Sequence, residues 1–183
     1  ASALIQASHA AYYGFSAITW QYAGLSGFTI AVLWSLGVIA EILIFAISPR
    51  FTVSPAVLVM IGAGSGLVRW AITAQDPRIE VLTAAQIMHG LTFGITQVGT
   101  VALLVRHVPS QWLASAQGYL SALTGITFSL AMVCSGLIYA RVGEGVYYAM
   151  AAMALAGGLV MALARKRQKE LEAILAELSG RSI

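Results

Sequence analysis

Phe28–Ile47 reads FTIAVLWSLGVIAEILIFAI, twenty residues with a single charged side chain, Glu41. About 20 apolar residues cross the hydrocarbon core of a bilayer as one helix, so this stretch has the length and polarity of a transmembrane span. Its one carboxyl group sits where a charge costs about 2.5 to 3.5 kcal/mol even on the lenient insertion scale. The rest of the 183 residues share this character, being 59% hydrophobic and 9% charged, where a soluble domain carries about 25% charged residues. With a mean hydropathy of +0.84, the chain is predicted to be an all-α integral membrane protein.

Outward from that span, hydropathy and turn residues predict six transmembrane helices, over 2–22, 26–47, 55–75, 80–104, 115–139 and 146–164. The breaks fall at Gly24 and Gly27, at Ser48-Pro49-Arg50 and Ser54-Pro55, at Gln75-Asp76-Pro77-Arg78, at Pro109-Ser110, and at Gly143-Glu144-Gly145. The bundle occupies 1–164, and 165–183 form a basic, then amphipathic, cytoplasmic tail. Arg50, Arg106 and the cluster Arg165, Lys166, Arg167 and Lys169 lie on one side, against Arg78 and Arg141 on the other. Short cytoplasmic loops retain positive charge, which places both termini in the cytoplasm, as in a bacterial inner (plasma) membrane protein.

The net charge of +3 is concentrated in that juxtamembrane cluster and does not form a nucleic-acid groove. Cys134 has no partner for an internal disulfide. The chain begins at Ala1 with helical sequence and no basic leader, so a preceding portion is expected. In the tail, Leu171, Ile174, Leu175 and Leu178 recur at helical spacing among Glu170, Glu172 and Glu177, the pattern of a short amphipathic helix near the membrane surface. Small residues recur every four positions at Gly62 and Gly66, at Ser121, Gly125 and Ser129, and at Ala154, Gly158 and Ala162. Such rows let helices pack closely in lipid.

Glu41, Arg69 and His89 are the ionisable residues that carry chemistry inside spans. Such groups face a cavity or one another, so they are the expected proton-coupling and charge network, although a Glu41–Arg69 pair that merely locks two helices has the same residues. On straight helices rising about 1.5 Å per residue, Glu41 lies roughly 7 Å to the cytoplasmic side of its span centre and Arg69 roughly 6 Å to the outer side, with His89 nearer Arg69. That spread suits a chain of sites along a pathway. Gln6, His9, Tyr13, Ser16 and Trp20 share one face of the first span, and Gln86, His89, Phe93, Thr96 and Thr100 one face of the fourth. Both stripes are expected to line an aqueous substrate cavity, with Trp34, one helical repeat before Glu41, as a further lining residue. No metal-ligand spacing, phosphate loop or nucleophile motif is present in the sequence, so neither a cofactor nor an enzyme is implied.

The stretch Ala7-Ser-His-Ala-Ala-Tyr-Tyr-Gly-Phe-Ser-Ala-Ile-Thr-Trp20 and the following Leu33-Trp-Ser-Leu-Gly-Val-Ile-Ala-Glu41 resemble the C-terminal half of the 3-phenylpropionate transporters. That group lies in the major facilitator superfamily, near the lactose permease-like proton symporters. Leu67-Val-Arg-Trp-Ala71 and Gln86-Ile-Met-His89 extend the resemblance. It implies helices seven to twelve of a twelve-helix carrier, with Glu41, Arg69 and His89 in the positions of that family's intramembrane Glu, Arg and His. Those symporters also have a Glu three residues after the His, where this chain has Thr92, and their basic loop signature is reduced here to Pro49-Arg50-Phe51. The implied function is proton-coupled uptake of a small organic solute, an aromatic carboxylate being one candidate. The alternative is a non-transporting six-helix subunit of a larger membrane complex. Either way the implied partners are the lipid bilayer and a second six-helix half, which could be an N-terminal half, a second copy or another membrane subunit. The transporter reading adds protons and a small-molecule substrate.

Overall fold

Polar punctuation sets where the helices begin and end. The computed structural model describes residues 1–76 and 78–180, with side chains as far as Glu177. Pro77 of the expected turn, the side chain of Leu178 in the tail stripe, and residues 181–183 lie outside the described residues. Ser26 caps α3 (Gly27–Ile47), its Oγ accepting the Thr29 N–H at 3.1 Å. Pro49 then ends the run in a 3₁₀ turn, and Pro55 opens α4 (Pro55–Thr73) at the first helical position, where its missing N–H is no loss.

The described residues contain no strand, and the chain is all-α. Four helical runs are long and apolar enough to cross a membrane: Gly27–Arg50, Pro55–Thr73, Ile79–His107 and Ser110–Glu177. The third run comprises α5 (Ile79–Ile87), a π-helical segment (Gly90–Gly94) and α6 (Ile95–His107). The fourth holds two helices, α7 (Leu113–Val142) and α8 (Val146–Gly180), joined by a 3₁₀ turn at Gly143–Gly145. Gly143 takes φ +55° there, a conformation open to residues without a β-carbon. Residues 2–22 form two helices, α1 (Ser2–Ala7) and α2 (Ala10–Tyr22), separated at Ser8 and His9.

The core is built around α4, which packs most extensively against α8 and α6, while α1 and α2 lie against α7 and α8 and α3 covers α5 and the π segment. The seam between α4 and α8 uses two of the small-residue rows. A β-carbon on Gly66 would stand 3.1 Å from the Ala154 methyl, and one on Gly158 2.8 Å from Ala63, so the backbones approach as closely as small residues permit. The third row behaves differently. Ser121, Gly125 and Ser129 on α7 are exposed and border a cavity; here small side chains leave room, and no helix of the described chain fills it.

The last helix also departs from the expectation of a separate tail helix. α8 is continuous over 35 residues, about 52 Å at 1.5 Å per residue, which exceeds the roughly 30 Å of hydrocarbon. Its run of Lys, Arg, Gln and Glu after Ala164 contains no helix breaker, so the same helix continues from apolar bundle into polar tail.

Candidate functional site

Two local irregularities bring the site together. At Ser8–His9 the side chains turn back on the preceding helix. Ser8 Oγ donates to the Ile5 carbonyl at 2.6 Å, and His9 Nδ1 lies 3.3 and 3.2 Å from the carbonyls of Ile5 and Gln6. Backbone groups released by a helix break inside a bilayer need partners, since lipid offers none, and these two side chains supply them. The second irregularity is the π segment Gly90–Gly94, a form of helix frequent at functional sites. It begins at a glycine because α3 passes close by: a β-carbon on Gly90 would stand 2.7 Å from the Ala40 carbonyl oxygen. That approach sets His89 against Glu41.

Arg69 lies at the centre and is 1% exposed. Its Nη1 donates to His89 Nδ1 at 3.0 Å and to Thr92 Oγ1 at 3.2 Å, and its Nη2 donates to Gln86 Oε1 at 3.3 Å. The guanidinium carbon sits 4.7 Å from the Tyr12 ring centre and 4.4 Å from that of Trp70, so the cation is held by ring faces as well as by acceptors. Tyr12 also donates to Gln86 Oε1 at 2.9 Å, and Trp70 Nε1 donates to Ser8 Oγ at 3.0 Å. His89 Nε2 is 3.6 Å from Glu41 Oε2, just beyond hydrogen-bond distance.

The donor inventory assigns the ring protons. Arginine only donates, so His89 Nδ1 accepts and its proton resides on Nε2, the nitrogen facing Glu41. His9 Nδ1 faces two carbonyls and therefore donates, leaving Nε2 to accept from the Thr92 hydroxyl at 3.1 Å. The Thr92 hydroxyl has a second acceptor in the His89 carbonyl at 3.2 Å. Its single proton can point to one or the other. A series of polar groups thus runs Glu41, His89, Arg69, Thr92, His9, hydrogen-bonded from His89 onward, with its partly exposed end at Glu41, whose side chain is 20% exposed.

The structure therefore places Glu41, Arg69 and His89 in one series, with His89 between the other two. Glu41 and Arg69 make no direct ion pair. Of the expected lining residues, Gln6 and Phe93 border a cavity of about 430 Å³ together with Ser2, Gln97, Thr100 and a strip of α7 that includes Phe128. His9, Ser16, Trp20, Gln86 and Thr96 are buried in packing, Trp34 is half-buried and stacked on Tyr12, and Tyr13 is exposed beside Phe128 and Trp34. Ser8, Tyr12, Trp70 and Thr92 belong to the network without having been singled out as lining or charge residues. Among the described residues no cluster of His, Cys, Asp and Glu has the arrangement of a metal site.

Residues 1–150 match the model of the MFS_1 like family. A curated relative, the "Probable 3-phenylpropionic acid transporter" of Escherichia coli (strain K12), is 36% identical over 154 residues. That match takes in 83% of this chain and 41% of the relative, so the chain spans about two fifths of the relative's length. No solved structure matches.

Proposed function

The chain belongs to the MFS_1 like family, and from that premise we propose that it is a six-spanning half of a proton-coupled secondary transporter with both ends in the cytoplasm. It takes up a small aromatic carboxylate across a bacterial inner membrane by alternating access. A facing half completes the cavity, because α7 presents an open polar strip, Ser121, Thr124 and Ser129, that would be costly against lipid.

The observation that carries this reading is the buried chain from Glu41 to His9 beside an open cavity. Glu41 is the proton carrier in this scheme. When it is ionised, the Nε2 proton of His89 and, behind it, the Arg69 cation compensate its charge; when it is neutral, that compensation is released. The charge cost of moving the carboxylate between environments is thereby coupled to the packing of α3 on the π segment. His89 relays orientation, since its Nδ1 is already occupied by an obligate donor. Arg69 is the fixed cation of the switch, and its sealed guanidinium argues for that role over direct contact with substrate.

The solute's ring would lie against Phe93, Phe128 and Tyr13, within reach of the amide of Gln6. Gln6 lies on the cavity wall, its Nε2 donating to Gln97 Oε1 at 3.3 Å. Among the described residues no cation borders the cavity, so the counter-charge for a carboxylate is assigned to the facing half.

The test is uptake of labelled 3-phenylpropionate by the full transporter in proteoliposomes under an imposed pH gradient. Glu41→Gln should abolish gradient-driven accumulation while leaving substrate exchange at a comparable rate. Unchanged accumulation would remove the carrier role from Glu41. Absence of any uptake by the wild type across a panel of aromatic acids would turn the reading toward the non-transporting subunit.

A further inference from the structure

At the end of the bundle where α4 begins and α6 ends, a cleft of about 160 Å³ lies apart from the polar network. Its floor is the first turn of α4 at Ser54, and Arg106 and the α8 residues Arg165 and Lys169 line its walls. None of these three cations forms an ion pair among the described residues. The one carboxylate on the rim, Glu172, is held by the Gln168 amide at 3.0 Å. Ser54 Oγ has no hydrogen-bond partner among the described residues, and the α4 N-terminus adds its dipole and the Ala56 N–H, since Pro55 has no N–H and those of Val57 and Leu58 go to the Ser54 carbonyl. Cation number, an unfilled hydroxyl and a helix start all point to an anion with several oxygens.

The cleft does not end at the cations. Arg165 and Lys169 also border a second hollow, of about 250 Å³, against Met60 and Ala162. Met60 in turn opens a third, of about 190 Å³, that follows Gly64 and Gly158 along the α4–α8 seam. A cationic mouth thus leads into an apolar furrow on the outside of the bundle, and a free phosphate would use only the mouth.

We propose that this cleft and furrow bind an anionic phospholipid, with its phosphate among Arg106, Arg165 and Lys169 and an acyl chain along the seam between α4 and α8. The proposal uses the membrane setting of these helices and is independent of transport, so its test needs no uptake assay and its failure would leave the transport reading untouched.

Native mass spectrometry of the purified full-length protein, titrated with phosphatidylglycerol or phosphatidylcholine, reads the binding directly. Phosphatidylglycerol should bind at least about tenfold more tightly. Combining Arg106→Ala, Arg165→Ala and Lys169→Ala should cost about 100-fold in phosphatidylglycerol affinity, the product of about fivefold per cation, with an unchanged thermal unfolding midpoint in detergent as evidence of an intact fold. Glu172→Gln, which removes the opposing charge, should tighten phosphatidylglycerol binding several-fold. A β-carbon on Gly64 meets nothing within 4 Å, so Gly64→Leu can fill the furrow and should weaken the lipid while leaving inorganic phosphate binding unchanged. Equal phosphatidylglycerol affinity in the triple variant would overturn the proposal. So would full displacement of the lipid by millimolar inorganic phosphate with no effect of Gly64→Leu, which would mark a soluble-phosphate site instead.

Discussion

Replacing Arg69 by lysine keeps the charge and removes the geometry. Two guanidinium nitrogens serve three acceptors, His89 Nδ1, Thr92 Oγ1 and Gln86 Oε1, at 3.0 to 3.3 Å, and the planar group lies over both the Tyr12 and the Trp70 rings. A lysine ammonium is one nitrogen on a flexible stem and does not reproduce a fork. If it keeps one of the three bonds, two are lost, at about 1.5 to 3 kcal/mol each for hydrogen bonds to a charged group. The expected destabilisation is therefore about 3 to 6 kcal/mol. Water cannot replace the missing partners at a site 1% exposed. At roughly 2 to 4 °C per kcal/mol for a chain of this size, thermal unfolding in detergent should fall by about 6 to 24 °C. His89 would also lose the donor that fixes its tautomer, so coupled uptake should drop even in the folded fraction. An Arg69→Lys protein that melts within about 2 °C of wild type and retains full proton-driven uptake would refute the reasoning.

Three further outcomes follow from the packing. Gly90→Ala would place a methyl 2.7 Å from the Ala40 carbonyl oxygen and should cost about 1 to 3 kcal/mol as overpacking, whereas Gly64→Ala, with open space around it, should stay within about 0.5 kcal/mol of wild type; thermal unfolding in detergent compares the two. Trp70→Phe removes the donor to Ser8 Oγ, which keeps its own bond to Ile5, and shrinks a fully buried ring, so a loss of about 2 to 4 kcal/mol is expected by the same assay. In a Cys134→Ser background, chosen because Cys134 is exposed, cysteines at Ser121 and Gly125 should react with a water-soluble maleimide faster than one at Ile126. Equal rates at all three would mean that the α7 strip does not border water.

Much of this was legible in the chain. The cost of ionisable groups in lipid singled out Glu41, Arg69 and His89, because expense needs no neighbour to be visible. Their order in space was not legible. Straight-helix depths separated Glu41 from Arg69, and only the lateral packing of α3 on a π segment shows that His89 fills the interval. Tyr12 and Trp70 escaped notice because each adjoins a residue already chosen, Tyr13 or Arg69, and the break at Ser8–His9 rotates the face that a regular helical stripe assumes. Thr92 was visible only as a departure from the related symporters, yet its hydroxyl accepts from Arg69 and can donate to the ring of His9, linking the two. The row Ser121, Gly125 and Ser129 looks the same in sequence whether a helix or a hollow lies opposite; local pattern does not distinguish the two.

The uninterrupted course of α8 has a mechanical meaning. With no joint between the bundle and residues 165–180, any rocking of this helix is transmitted outward as by a stiff rod. The projecting part is about 24 Å long, so a tilt of roughly 10° at its root sweeps the tip through roughly 4 Å. A spin label or fluorophore on that rod would report reorientation of the bundle from a position that touches neither solute nor proton path.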